Sequence, residues 1–98
     1  MNSIDEAKRK IESAKRRIEL ANAEWDRANA QCRLLIDMMA RLDVEHPRYR
    51  QLLDELGATQ EIRREEATRR EIAMTDWFGA MLAQQNNDGI TNVGVGAI

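Results

Sequence analysis

The first half of the chain repeats apolar residues at alternating spacings of three and four. Written as heptads, Ile4, Ile11, Ile18, Trp25, Cys32 and Met39 take the a positions. Ala7, Ala14, Ala21, Ala28, Leu35 and Leu42 take the d positions. All twelve are apolar or carry a thiol. A 3.5-residue repeat held over this many turns predicts a helix with a coiled-coil seam. Its start is marked by Ser3 with Glu6, a capping-box pattern, and by acidic Asp5 and Glu6 at the positive end of the helix dipole. No glycine or proline interrupts residues 3–43, so the pattern predicts one helix over that span, about 60 Å long.

Pro47 is the only proline. It disfavours helix at the residue before it, yet suits the first turn of a new helix, where its missing N–H would be unpaired anyway. A turn at 44–46 followed by a second helix over 47–86 is therefore expected, and so short a loop makes the two helices antiparallel neighbours. The second helix is less regular. Leu53, Leu56, Ala67, Met74, Trp77 and Met81 follow the three–four spacing, but the same frame includes Gln60, Arg63 and Arg70. Gly57 costs about 1 kcal/mol relative to alanine inside a helix, and 57–71 offers only Ala58, Ile62 and Ala67 as apolar residues. Asn86-Asn87-Asp88-Gly89 is a cluster of turn formers. It predicts a helix end at 86 and a flexible tail over 87–98.

The expected fold is thus all-α: a long antiparallel two-helix hairpin over 1–86, coiled-coil-like. Residue i of the first helix faces roughly residue 90 − i of the second. Trp77 then stands near Ala14, and Trp25 near Ala67, large against small as close packing requires. A single seam leaves apolar residues uncovered. Leu20, Leu34, Ile36 and Met38 lie off it on the first helix; Leu52, Ile62, Ile72, Phe78 and Leu82 lie off it on the second. Full burial of each such side chain is worth about 1.5–3 kcal/mol. The expected remedy is oligomerisation, with two hairpins forming a homodimeric bundle or a helix of another protein filling the gap.

Composition narrows the function. The chain has 98 residues, enough for one small domain. One cysteine cannot form an internal disulfide, and one cysteine with one histidine cannot supply a structural zinc site. No apolar run approaches the ~20 residues of a membrane span. The polar start from Met1 to Lys10 lacks the apolar stretch of a signal peptide. With the lone thiol, this leads to the expectation of a cytoplasmic protein, in a host cell if virus-encoded. Net charge is −2, with 15 basic and 17 acidic residues, and its sign alternates along the chain. Residues 1–20 hold six basic and four acidic residues, 21–47 three and five, and 48–71 six of each. That alternation describes solvated, salt-bridged helix faces, whereas duplex nucleic acid calls for a one-sign basic face.

Candidate chemistry is sparse. Cys32 at an a position reads as a small buried hydrophobe, and His46 as a cap or turn residue beside Pro47. Glu65 and Glu66, each with an arginine four residues on, read as surface ion pairs. No Gly-rich phosphate loop, nucleophile elbow or H-E-x-x-H occurs. No enzyme activity, cofactor or metal is expected. Lys8-Arg9-Lys10, Lys15-Arg16-Arg17, Arg63-Arg64 and Arg69-Arg70 form basic clusters, the last two interrupted by glutamates. Trp77-Phe78-Gly79 has the W-x-G form of the WXG100 helical hairpins. There the motif occupies the turn; here it lies far beyond the turn, so the chain is not assigned to that family. Pro47 followed by Leu52-Leu53 and a polar helix is similar in layout to type III secretion needle subunits. Those have a shorter first helix, and no residue role is carried over.

Met74, Trp77, Phe78, Met81 and Leu82 concentrate anchoring and adaptable side chains. With Leu34 and Met38 of the first helix they form the expected protein interface, Trp77 and Met81 turned inward and Phe78 and Leu82 outward. The expected function is a non-enzymatic protein-interaction module of adaptor, chaperone or inhibitor type. A structural or assembly subunit of a secretion system or virus particle is the alternative, and a nucleic-acid-associated module ranks last.

Overall fold

The computed structural model describes the backbone of residues 3–96 and the side chains of residues 4–85. The described residues form two α-helices, α1 (Ser3–Ala40, 38 residues) and α2 (Pro47–Gly96, 50 residues), and contain no strand. They lie side by side as an antiparallel hairpin. The radius of gyration is 21.8 Å, against about 13 Å for a compact domain of this length. The molecule is a rod with one seam and no enclosed centre.

The turn is longer than the sequence predicts, running over 41–46 rather than 44–46. α1 closes with two tight i→i+3 bonds, Arg41 N–H to Met38 O (3.3 Å) and Leu42 N–H to Met39 O (3.1 Å). Such bonds satisfy carbonyls left over at a helix C-terminus. His46 N–H then donates to Asp43 O (2.9 Å), and His46 Nδ1 accepts the Arg48 N–H (3.1 Å). His46 is thus the N-cap of α2 and Pro47 its first residue, the role each was expected to fill.

α2 continues through Asn86–Gly89 to Gly96, ten residues beyond the expected end at 86. Asn, Asp and Gly lower helix propensity by no more than about 1 kcal/mol each, and none blocks the backbone bonding as proline would. The expected flexible tail over 87–98 therefore falls on helical backbone as far as 96. Residues 97–98 and the side chain of Ser3, half of the expected capping box, lie outside the described part.

Three interhelical contacts fix the register. Arg70 Nη1 donates to Asn22 Oδ1 (3.3 Å), Arg63 Nη1 to Asn29 Oδ1 (2.9 Å), and Arg17 Nη1 to Asp76 Oδ2 (2.9 Å). The residue numbers of these pairs sum to 92, 92 and 93, so residue i of α1 stands level with about 92 − i, two residues from expectation. Trp77 is level with the fully buried Ala14, and Trp25 and Ala67 line one groove. Asn22 and Asn29 are one heptad apart, as are Arg63 and Arg70. The polar frame members that weakened the sequence pattern are the residues that lock the register.

The α1 seam is the expected one: Ala7, Ala14, Ala21, Ala28, Cys32, Leu35 and Met39 are all buried. The α2 seam is not. It runs Tyr49, Leu52, Leu56, Thr59, Arg63, Glu66, Arg70, Ala73, Trp77, Ala80 and Gln84. The expected frame shares Leu56, Arg63, Arg70 and Trp77 but is otherwise one residue off. Leu52 is 2% exposed and Leu53 46%; Ala73 and Ala80 are buried, whereas Met74 and Met81 face solvent. Size decides between the frames. Ile11 and Ile18 stand level with Ala80 and Ala73 or nearly so, and alanine admits the branched side chain at a close helix spacing where methionine would not. The best-packed layer lies at the turn: Leu35, Met39 and Leu52, ringed by Met38, Leu42, Tyr49 and Leu56.

Candidate interaction surfaces

A two-helix rod has two long flanks, one on each side of its seam. Numbering α2 in heptads with Tyr49 at a and Leu52 at d, positions c and g of both helices share one flank, and b and e share the other.

The b/e flank carries most of the expected interface. Trp77, Phe78, Met81 and Leu82 line one shallow groove with Gln84 and Gln85, and Met74 lies one turn earlier. Met74, Phe78, Met81 and Leu82 are all exposed, Phe78 at 59%. Trp77 is half-buried on the seam. Met81 was expected to turn inward with it; at 40% exposure it does not, because Ala80 takes the inward place. Leu34 and Met38 do not join this group. They lie on the c/g flank toward the turn, level with residues 58 and 54, which is about 30 Å along the rod from Trp77 at 1.5 Å per residue. Leu34 is exposed, while Met38 packs against the Leu35–Met39–Leu52 cluster. The seven residues make two separate surfaces.

The c/g flank holds a groove that the sequence pattern did not single out. Leu20 and Ile72 form its apolar rims at 64% and 55% exposure; Ala21 and Glu66 form its floor, and Arg17, Glu24 and Arg69 its walls. Leu20 and Ile72 were both visible as off-seam apolar residues, but only the register shows that they stand at one height. The flank continues past Arg17 and Asp76 toward Ser13 and Gly79.

Some of the charged groups are engaged within the chain, the arginine pairs of α2 among them. Glu66 is buried on the seam and bonded to Arg69, not a surface partner of Arg70 as expected. Arg70 reaches across to Asn22 instead. Arg64 pairs with Glu61, Arg27 with Glu24 and Lys10 with Glu6, all on their own helices. The Arg63-Arg64 and Arg69-Arg70 clusters are thereby spent on intrachain contacts, and Arg17 on Asp76. Cys32 is buried in the seam, and His46 caps α2. Among the described residues, no three His, Cys, Asp or Glu side chains converge as a metal site would require, and no helix is long and apolar enough to cross a membrane. What the rod offers chemically is apolar flank, framed by charge. Comparison with protein-family models, with curated proteins and with solved structures finds no match to this chain.

Proposed function

We propose that the hairpin is a non-catalytic, dimer-forming protein-interaction module that holds a partner protein against the outer face of α2. The observation that carries this reading is the exposure together of Met74, Phe78, Met81 and Leu82 beside half-buried Trp77. Methionine adapts to varied partner shapes and aromatic residues anchor. An exposed apolar patch of this kind on a small chain marks a contact surface. An amphipathic helix laid along the groove would present its own apolar residues at i, i+3, i+4 and i+7. A cytoplasmic setting belongs to the same proposal and rests on the single unpaired thiol.

The test is affinity capture from the native cell with the tagged chain and its Phe78→Asp, Leu82→Asp double variant. Both positions are exposed, so the variant should keep the helical circular dichroism and melting profile of the parent. A partner retained stoichiometrically by the parent and lost by the variant supports the reading; identical partners overturn it.

One observation favours a second reading, a structural or assembly subunit. Ser3 stands level with residue 89, so α2 from 90 to 96 projects beyond the end of α1. If that projection joins copies, light scattering will show open-ended growth with concentration, abolished by deleting residues 88–98. A fixed particle mass unaffected by the deletion rejects this alternative.

A further inference from the structure

On the c/g flank, residues at the same height on the two helices are matched in a way the hairpin itself does not use. Arg27 and Glu65 are both at c positions, level with each other and exposed, with the seam between them. Arg27 bonds Glu24 on its own helix instead. Leu20 and Ile72 form the same kind of pair, apolar with apolar, both more than half exposed. Leu34 is level with Ala58, and Ser13 with Gly79. At the g positions between them, Arg17 opposes Asp76, and Glu24 stands beside Arg69 in the Leu20 groove.

We propose that this flank is covered by a second copy of the chain, related by a two-fold axis parallel to the rod. Such an axis lays α1 of one copy antiparallel on α2 of the other at the same height. Leu20 then meets Ile72 of the other copy, Arg27 meets Glu65 and Leu34 meets Ala58. Each contact occurs twice, and no like charges are opposed at these positions. The matched strip from 13 to 34 is about 32 Å long at 1.5 Å per residue and two helices wide, roughly 600 Å² per copy. That is the lower end of the range for a specific interface. On the opposite flank the same operation brings Glu19 near Glu71, two residues off level and like in charge, and Asp26 near Arg64, opposite in charge. The level Leu20–Ile72 and Arg27–Glu65 pairs place the second copy on the c/g flank, leaving the Phe78 groove open. This inference gives a face and a geometry to the dimer of the proposed function, which it takes as its premise.

The test is a charge swap read by sedimentation velocity and native mass spectrometry. The parent is expected at twice its 11.3 kDa chain mass. R27E opposes two glutamates in each of two places, and E65R opposes two arginines; each variant alone should dimerise about tenfold more weakly. Mixed in equal amounts, they restore both attractive contacts and should form the mixed dimer in preference to either self-dimer. Oxidation of L20C chains mixed with I72C chains should give an interchain disulfide, since Cys32 is buried and does not compete. A parent that is monomeric at all concentrations overturns the inference. So does a dimer indifferent to both charge reversals, or a mixture no tighter than the single variants. Capture of a partner through Phe78 and Leu82 is read on the other flank, so its success or failure is decided separately.

Discussion

Leu52 and Leu53 are adjacent leucines on one helix, and the fold gives them opposite fates. Leu52 is 2% exposed, held between Leu35 and Met39, and Leu53 is 46% exposed. Truncating a buried leucine to alanine removes its transfer energy and leaves a cavity, which spans about 2–5 kcal/mol across proteins. Leu52 lies in a thin two-helix layer that can partly collapse, which places Leu52→Ala near about 2–3 kcal/mol. Leu53 forfeits only about half of its transfer energy, so Leu53→Ala should cost about 1 kcal/mol, slightly offset by alanine's better helix propensity. The gap of about 1–2 kcal/mol is roughly five- to thirtyfold in the folding constant. Urea melts followed by helical circular dichroism, at one protein concentration, should separate the midpoints by about 1 M, given a slope near 1–2 kcal/mol/M. If Leu53→Ala proves as damaging as Leu52→Ala, α2 buries the frame of 53, 60, 67, 74 and 81, and the seam described here is wrong.

Gly57→Ala should stabilise the chain by about 1 kcal/mol, because Gly57 sits within α2 and an added Cβ meets nothing within 4 Å; a lowered urea midpoint would contradict this. A double-mutant cycle of Asn29→Ala with Arg63→Ala should return a coupling of about 0.5–1.5 kcal/mol, the worth of their hydrogen bond; additive single effects would deny the register. Cys32 should resist thiol reagents in the folded chain and react freely in urea; prompt labelling in native buffer would show that it is not in the seam.

The α1 helix, its seam, the capping role of His46 and the approximate register were legible because each rests on local pattern: a heptad, a proline and chain direction. The α2 seam was not. Leu53, Met74 and Met81 make a more apolar stripe than Leu52, Ala73 and Ala80, so a reading by hydrophobicity favours the wrong one. What selects the right stripe is the opposing helix. Opposite Ile11 and Ile18 of α1, Ala80 and Ala73 complete the seam as small against large, just as Trp77 stands against Ala14. The same cause explains the interface residues. Methionines displaced from the seam become the exposed flank, so Met81 faces out where it was expected inward. Leu34 and Met38 were grouped with Trp77 because apolar character alone carries no height along a rod.

The register also explains why the flank matters to the fold. Midway along the seam, Arg63, Glu66 and Arg70 of α2 stand against Ala21, Trp25 and Ala28. Charged residues take the α2 seam positions here, so this section offers less apolar area for burial than the leucine layer at the turn. Glu66 is held there by Arg69, whose own side chain stays largely in solvent. Leu20 and Ile72 flank this same section, and Ile62 lies close by on the same flank. A second copy on the flank would therefore place apolar cover directly outside the weakest stretch of the seam. It would also screen the Glu66–Arg69 contact from water, strengthening it where the monomer is least well held. Association that covers the folded rod but not the unfolded chain raises stability with concentration. On the proposed dimer, dimerisation and the integrity of the hairpin's middle would be one equilibrium, and variants that weaken one should weaken the other.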